Sequence, residues 1–216
     1  MRSAVVNDVA IADYLVARRG CPGRSGLAYD YLLARNGVFV AAENALLAAR
    51  LPIAACLVRG LDPLDSLIEI KHGLLPQHLW HDIVEVAQYW AACGQEALLV
   101  VTWDGRRYRL VAPVQIVDPC QVCYRPLANA LLEIHSHHRY AARFSSIDDA
   151  DEQRLCLYGV IGRLDGDRPE VALRVGAYGY FMPVAWEDVF AGNRGTFRDV
   201  SFDPPDEVSA AHALPD

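Results

Sequence analysis

The 216-residue sequence has no run close to the roughly 18–20 consecutive apolar residues that a membrane-spanning helix needs. It also lacks an excess of positive charge: Lys and Arg total 20 against 27 Asp and Glu, a formal net charge of −7. A surface that neutralises nucleic-acid phosphates needs the opposite balance. Neither nucleic acid nor a membrane is therefore expected as a partner. No cysteine framework is legible. The six cysteines stand at 21, 56, 93, 120, 123 and 156, and only Cys120-x2-Cys123 has a suggestive spacing, half a zinc knuckle without its other half. Reduced thiols fit this scatter. The N-terminus has Asn7, Asp8 and Asp13 among its apolar positions, unlike a secretory leader, so a cytoplasmic protein is expected.

With 53% hydrophobic and 22% charged residues, the composition is that of a globular chain. The length suits one good core, or a catalytic unit with a smaller appendage. Residues 1–75 read as a small α+β appendage of unknown role. Apolar spacing over 4–19 and 27–35 is helix-compatible, broken by Gly20-Cys21-Pro22-Gly23, and 41–50 is helix-like. Residues 76–200 read as the second unit and 201–216 as a flexible tail. Pro76 suits the first turn of a helix, Leu79, Ile83, Val86 and Trp90 make one stripe, and Gly94 is a stop. Strand-like runs follow at 97–102 and 108–112, joined through Asp104-Gly105, a strong hairpin signal. A strand is expected at 130–137, a helix at 145–156, and strands at 157–163 and 170–176. The expected fold class is α+β or α/β/α-like, a mixed, largely antiparallel curved sheet flanked by helices.

The chemistry lies in Glu133-Ile134-His135-Ser136-His137 and Ser145-Ser146-Ile147-Asp148, which together read H-x-H-x7-S-x2-D. Histidines two apart on a strand point to the same face, so both imidazoles can meet one ion. Asp148, from the first turn of the next helix, would complete a set of two imidazoles and one carboxylate. Such a set leaves a fourth position open on zinc, whose bound water has its pKa lowered to about 7. A carboxylate must still move the proton. Glu96, at the entrance of the first hairpin strand, is the first candidate for general base, with Glu133 and Glu43 as rivals. Ser145 is a candidate donor to an oxyanion. Ser145-x2-Asp148 also has the form of a helix capping box.

These residues resemble the signature of the JAB/MPN metalloenzyme family, the JAMM peptidases: an upstream Glu, then H-[ST]-H, seven residues, Ser, two residues, Asp. His135-Ser136-His137, Ser145 and Asp148 match it without a gap, and the resemblance covers roughly residues 76–190. The run Phe144 to Glu152 is most similar to the bacterial Prok-JAB members, including the protein A group of PRTRC systems. His138 departs from the eukaryotic deubiquitinases, which carry proline there. The resemblance implies the JAB/MPN, cytidine-deaminase-like fold. It implies Zn2+ on His135, His137 and Asp148, with Glu96 as general acid/base and Ser145 supporting the oxyanion. The implied activity is that of an isopeptidase or endopeptidase. It would cut the amide bond after the C-terminal tail of a ubiquitin-like protein, with activating and conjugating enzyme homologues as further partners.

Overall fold

The computed structural model describes residues 10–113, 115–118, 121–124, 127 and 129–204, with backbone alone for 115–118 and 121–124. The chain beyond residue 204, the start of the 4–19 segment and the side chains of Cys120-x2-Cys123 lie outside the described residues.

Residues 10–75 form strands where helices were expected. β1 (Ala12–Val16), β2 (Tyr29–Ala34), β3 (Gly37–Glu43), β4 (Leu47–Ala54) and β5 (Leu67–Ile70) make one sheet in that order. It is antiparallel except for the parallel pair β1–β2. The appendage is thus all-β among the described residues. In β2, Asp30, Leu32 and Ala34 are buried and alternate with half-buried Tyr29, Tyr31 and Leu33, a period of two. The segment 41–50 is two strands because Asn44 turns the chain. Its side-chain oxygen accepts from the N–H groups of Leu46 (2.8 Å) and Leu47 (2.9 Å).

The expected helix after Pro76 is present as α1 (Gln77–Ala92). It ends in a Schellman motif: Gln95 N–H donates to Trp90 O and Gly94 N–H to Ala91 O, both at 3.0 Å, with Gly94 at φ 74°. Its buried residues are Leu79, Trp80, Ile83 and Ala87, so the buried stripe is rotated from the expected one and leaves Val86 and Trp90 half-buried.

The rest of the chain supplies β6 (Leu98–Trp103), β7 (Tyr108–Val111), β8 (Gln115–Asp118), β9 (Gln121–Tyr124) and β10 (Ala130–Ser136). Then come α2 (Ser146–Asp151), β11 (Cys156–Gly162), β12 (Glu170–Ala177), β13 (Tyr180–Pro183) and β14 (Arg198–Asp199). The main sheet runs β13-β12-β11-β10-β6-β7, with β14 beside β12, while β8 and β9 form a separate hairpin. It is mixed: β10–β11 and β12–β14 are parallel and the other pairs antiparallel. The helix expected over 145–156 is only the six residues of α2, because Cys156 already belongs to buried strand β11. A mixed sheet with two α-helices is an α+β fold. No helix among the described residues is long and apolar enough to cross a membrane.

Alternation divides the main sheet into two faces. Leu132, Ile134, Leu157, Ile161, Leu173 and Val175 join one core with Val40, Leu47 and Leu51 of the first sheet and Leu79, Trp80 and Ile83 of α1. The opposite face of β10, β11 and β12 therefore carries Glu133, His135, Tyr158, Val160 and Arg174. The aromatic side chains of Trp186, Phe190 and Phe197 surround Trp80, with ring centroids 5.7, 5.3 and 5.1 Å away. Trp80 is 1% exposed. Trp80→Ala is expected to destabilise the chain by about 3–5 kcal/mol, read as a fall in the urea midpoint; an unchanged midpoint would show that this cluster does not hold α1.

Candidate metal centre

β10 is hydrogen-bonded on both edges, antiparallel to β6 and parallel to β11. His135 pairs with Leu98 on one side and Val160 on the other. Just past the strand, His137 N–H donates to Ile161 O (2.7 Å), so the second histidine keeps the strand's direction. Both imidazoles consequently leave the same face. Their Nε2 atoms lie 3.0 Å apart, and Asp148 Oδ1 lies 3.5 Å from His135 Nε2. One ligand atom from each of His135, His137 and Asp148 falls within 4.8 Å of the others. Two nitrogens bound tetrahedrally at about 2.0–2.1 Å would be separated by about 3.3 Å. The donor set and its spacing fit a divalent ion.

The surrounding bonds prepare the donor atoms of His137 and Asp148. His137 Nδ1 lies 3.2 Å from Ala141 O, so Nδ1 carries the proton and donates, leaving Nε2 its lone pair for a ligand. Ala141 is held by the turn after β10: Tyr140 N–H donates to His137 O (2.8 Å) and Arg163 N–H to Tyr140 O (2.8 Å). This turn lies directly on Gly162, where a Cβ would come within 2.4 Å of Tyr140 O and Ala142 N. His138 has φ 46°, a left-handed conformation closed to proline, whose ring fixes φ near −65°. The loop thus takes a path that a proline at 138 could not follow.

Asp148 serves two tasks with its two oxygens. Oδ2 accepts from Ser145 N–H (2.6 Å) and from the Ser145 hydroxyl (2.7 Å), while Asp148 N–H donates to Ser145 Oγ (3.3 Å). This is a complete capping box. Oδ1 is left to face His135. The helix-cap reading of Ser145-x2-Asp148 is thus met with Oδ2 alone, and Oδ1 is the atom that approaches His135.

The three carboxylates considered as general base are in different surroundings. Glu43 ends β3 in the other sheet and is paired with Lys71 Nζ at 2.6 Å. Glu133 is buried on the site face and engaged by Arg154. Glu96 is exposed and lies one residue before Ala97, which is tied to Ser136 between the two histidines. Ala97 N–H donates to Ser136 Oγ and Ser136 N–H to Ala97 O, both at 2.9 Å. The β6–β10 pairing ends at Leu98–His135, so Glu96 stands two residues before the paired stretch, at the histidine end of β10. Glu96 lies outside the triad of ligand atoms.

Burial, reinforced by the charges of His137 and Arg174 and opposed by Asp148, holds His135 down to about 4. His135 is then neutral at pH 7, the protonation state that ligates a metal. Sequence reasoning passed over Arg174, whose guanidinium bonds the acidic residues of α2, and the Arg154–Glu133 pair. A lone Arg in the otherwise apolar run Val171–Ala177 was the available signal. No known protein-family profile and no curated protein matches the sequence.

A pH dependence follows from His135. Its folded pKa lies below the ordinary value near 6.5, so unfolding takes up a proton between the two. The stability this conserves is present above pH 6.5 and lost as pH falls through about 4. In chelator-treated protein, urea midpoints between pH 7 and 4 should fall more steeply for wild type than for His135→Gln. Parallel curves would contradict the assignment.

Proposed function

We propose that this chain is a zinc-dependent peptidase of the JAMM type, carried on a JAB/MPN, cytidine-deaminase-like fold. The reading rests on one observation: His135, His137 and Asp148 converge, with the second ring nitrogen of His137 and the second oxygen of Asp148 tied back to the protein. The position of Glu96 at the entrance of β6, beside the histidine end of β10, supports it. So does the order Glu, His-x-His, Ser, Asp along the sequence. The proposed substrate is the amide or isopeptide bond after the C-terminal tail of a ubiquitin-like protein, in a bacterial ubiquitin-like modification system with activating and conjugating enzyme homologues. That class comes from the resemblance of the motif.

His135, His137 and Asp148 would hold the zinc, which when bound supplies an acidified water and a Lewis acid beside the scissile carbonyl. Glu96 takes the proton from the attacking water and hands it to the leaving amine. Its exposure suits a carboxylate that must reach the substrate side of the site. Ser145 has a double hold on Asp148, through its N–H and its hydroxyl. The hydroxyl can turn to the oxyanion while the N–H keeps the carboxylate in place.

Glu96→Gln and His135→Ala separate the roles. With a ubiquitin-like protein fused through its tail to a reporter, Glu96→Gln is expected to retain zinc and lose about 10²–10⁴-fold in cleavage rate. His135→Ala is expected to lose both metal and activity. Cleavage by Glu96→Gln at the wild-type rate would remove Glu96 from the mechanism. Equal rates in all three proteins would remove the peptidase reading.

A further inference from the structure

We propose that Arg174 is the positioning residue of the metal centre: it fixes α2 on the sheet and so holds Asp148 in ligating position. This inference rests on the metal-site reading above. α2 has six residues and buries none of them. A helix in isolation is marginal below about 12–15 residues, so α2 needs an outside anchor. The capping box is internal to the segment and cannot attach it to the sheet. Ile147, its one large apolar side chain, is 55% exposed and does not attach it either.

Arg174 provides the attachment. It projects from β12 on the histidine face and is 7% exposed. Nη1 donates to Asp149 Oδ1 (2.6 Å), while Nε (2.8 Å) and Nη2 (2.5 Å) donate to Glu152 Oε2. Its guanidinium is stacked between the rings of Phe144 and Phe181, 3.8 Å from each centroid. Phe144 immediately precedes the helix cap, and Asp149 and Glu152 follow the ligand. One planar cation therefore grips the segment on both sides of Asp148. Phe181, on β13, closes the far side of the stack and keeps the guanidinium from swinging away.

The geometry uses what distinguishes arginine from lysine: a flat ion that stacks on two rings while directing several N–H groups along fixed lines. An ammonium would keep the charge and lose the stack and the fork. The Arg154–Glu133 pair tethers the chain after α2.

The test uses the full chain as wild type, Arg174→Lys and Arg174→Met. In metal-free protein, hydrogen exchange should quicken for the amides of 145–152 in Arg174→Met and stay unchanged in β10, β11 and β12. Zinc affinity, by competition with a chromophoric chelator, should fall about 10–100-fold, as for other groups that orient metal ligands. Arg174→Lys should fall between wild type and Arg174→Met. The visible spectrum of the cobalt-loaded protein should weaken in Arg174→Met, because a wandering Asp148 no longer enforces a four-coordinate ion. If Arg174→Met fails to fold, Phe144→Leu removes one wall of the stack and should change the same readouts in the same direction. Unaltered exchange over 145–152, or zinc affinity equal to wild type, would overturn the role. A wild-type chain that binds no zinc would overturn the metal-site reading, and the exchange measurement would still decide whether Arg174 anchors α2.

Discussion

A separation of 3.0 Å between two imidazole nitrogens requires a strand that can neither slide nor roll. β10 meets that demand because it is paired on both edges, to β6 and to β11, with His135 inside the paired stretch. A slip of one residue would turn both histidines into the apolar core and bring Ile134 out to the opposite face. The burial of Leu132 and Ile134 on the opposite face therefore fixes the orientation of the histidines as firmly as any bond to the rings. Packing on one side of the sheet determines the chemistry on the other.

The remaining geometry is a set of short-range ties built on that strand. Ala141 O sets which ring nitrogen of His137 keeps its proton, and Gly162 leaves the space in which that carbonyl lies. Ser145 occupies one oxygen of Asp148 and leaves the other facing His135. The first sheet and α1 share one core with the main sheet, so residues 10–75 help to cover the face that sets the register of β10. Tyr31 and Tyr180, whose hydroxyls lie 2.8 Å apart, and the stacked rings of Tyr29 and Tyr178 add a polar and aromatic seam between the two sheets.

Much of the main sheet and the convergence of His135, His137 and Asp148 was legible because each rests on local pattern. Two histidines at alternate positions, an Asp-Gly hairpin and a Gly94 stop each carry their meaning within a few residues. The first sheet was not legible in the same way. The runs at 27–35 and 41–50 are short, apolar and compatible with both periods, and their choice is made by neighbouring strands and by the Asn44 turn. The length of the second helix was overestimated because Cys156 and Leu157 continue an apolar pattern that belongs to buried β11. Arg174 is distant in sequence from the residues it holds, and only the pairing of β12 with β11 brings it beneath α2.

His135, His137 and Asp148 are proposed to bind one zinc ion together. X-ray absorption at the zinc edge, on protein loaded with a single equivalent, tests it without reference to any substrate. The expected result is a shell of nitrogen and oxygen neighbours at about 2.0–2.1 Å, with outer-ring scattering from two imidazoles that weakens in His137→Ala. A sulfur shell at about 2.3 Å would assign the metal to cysteine and contradict the account.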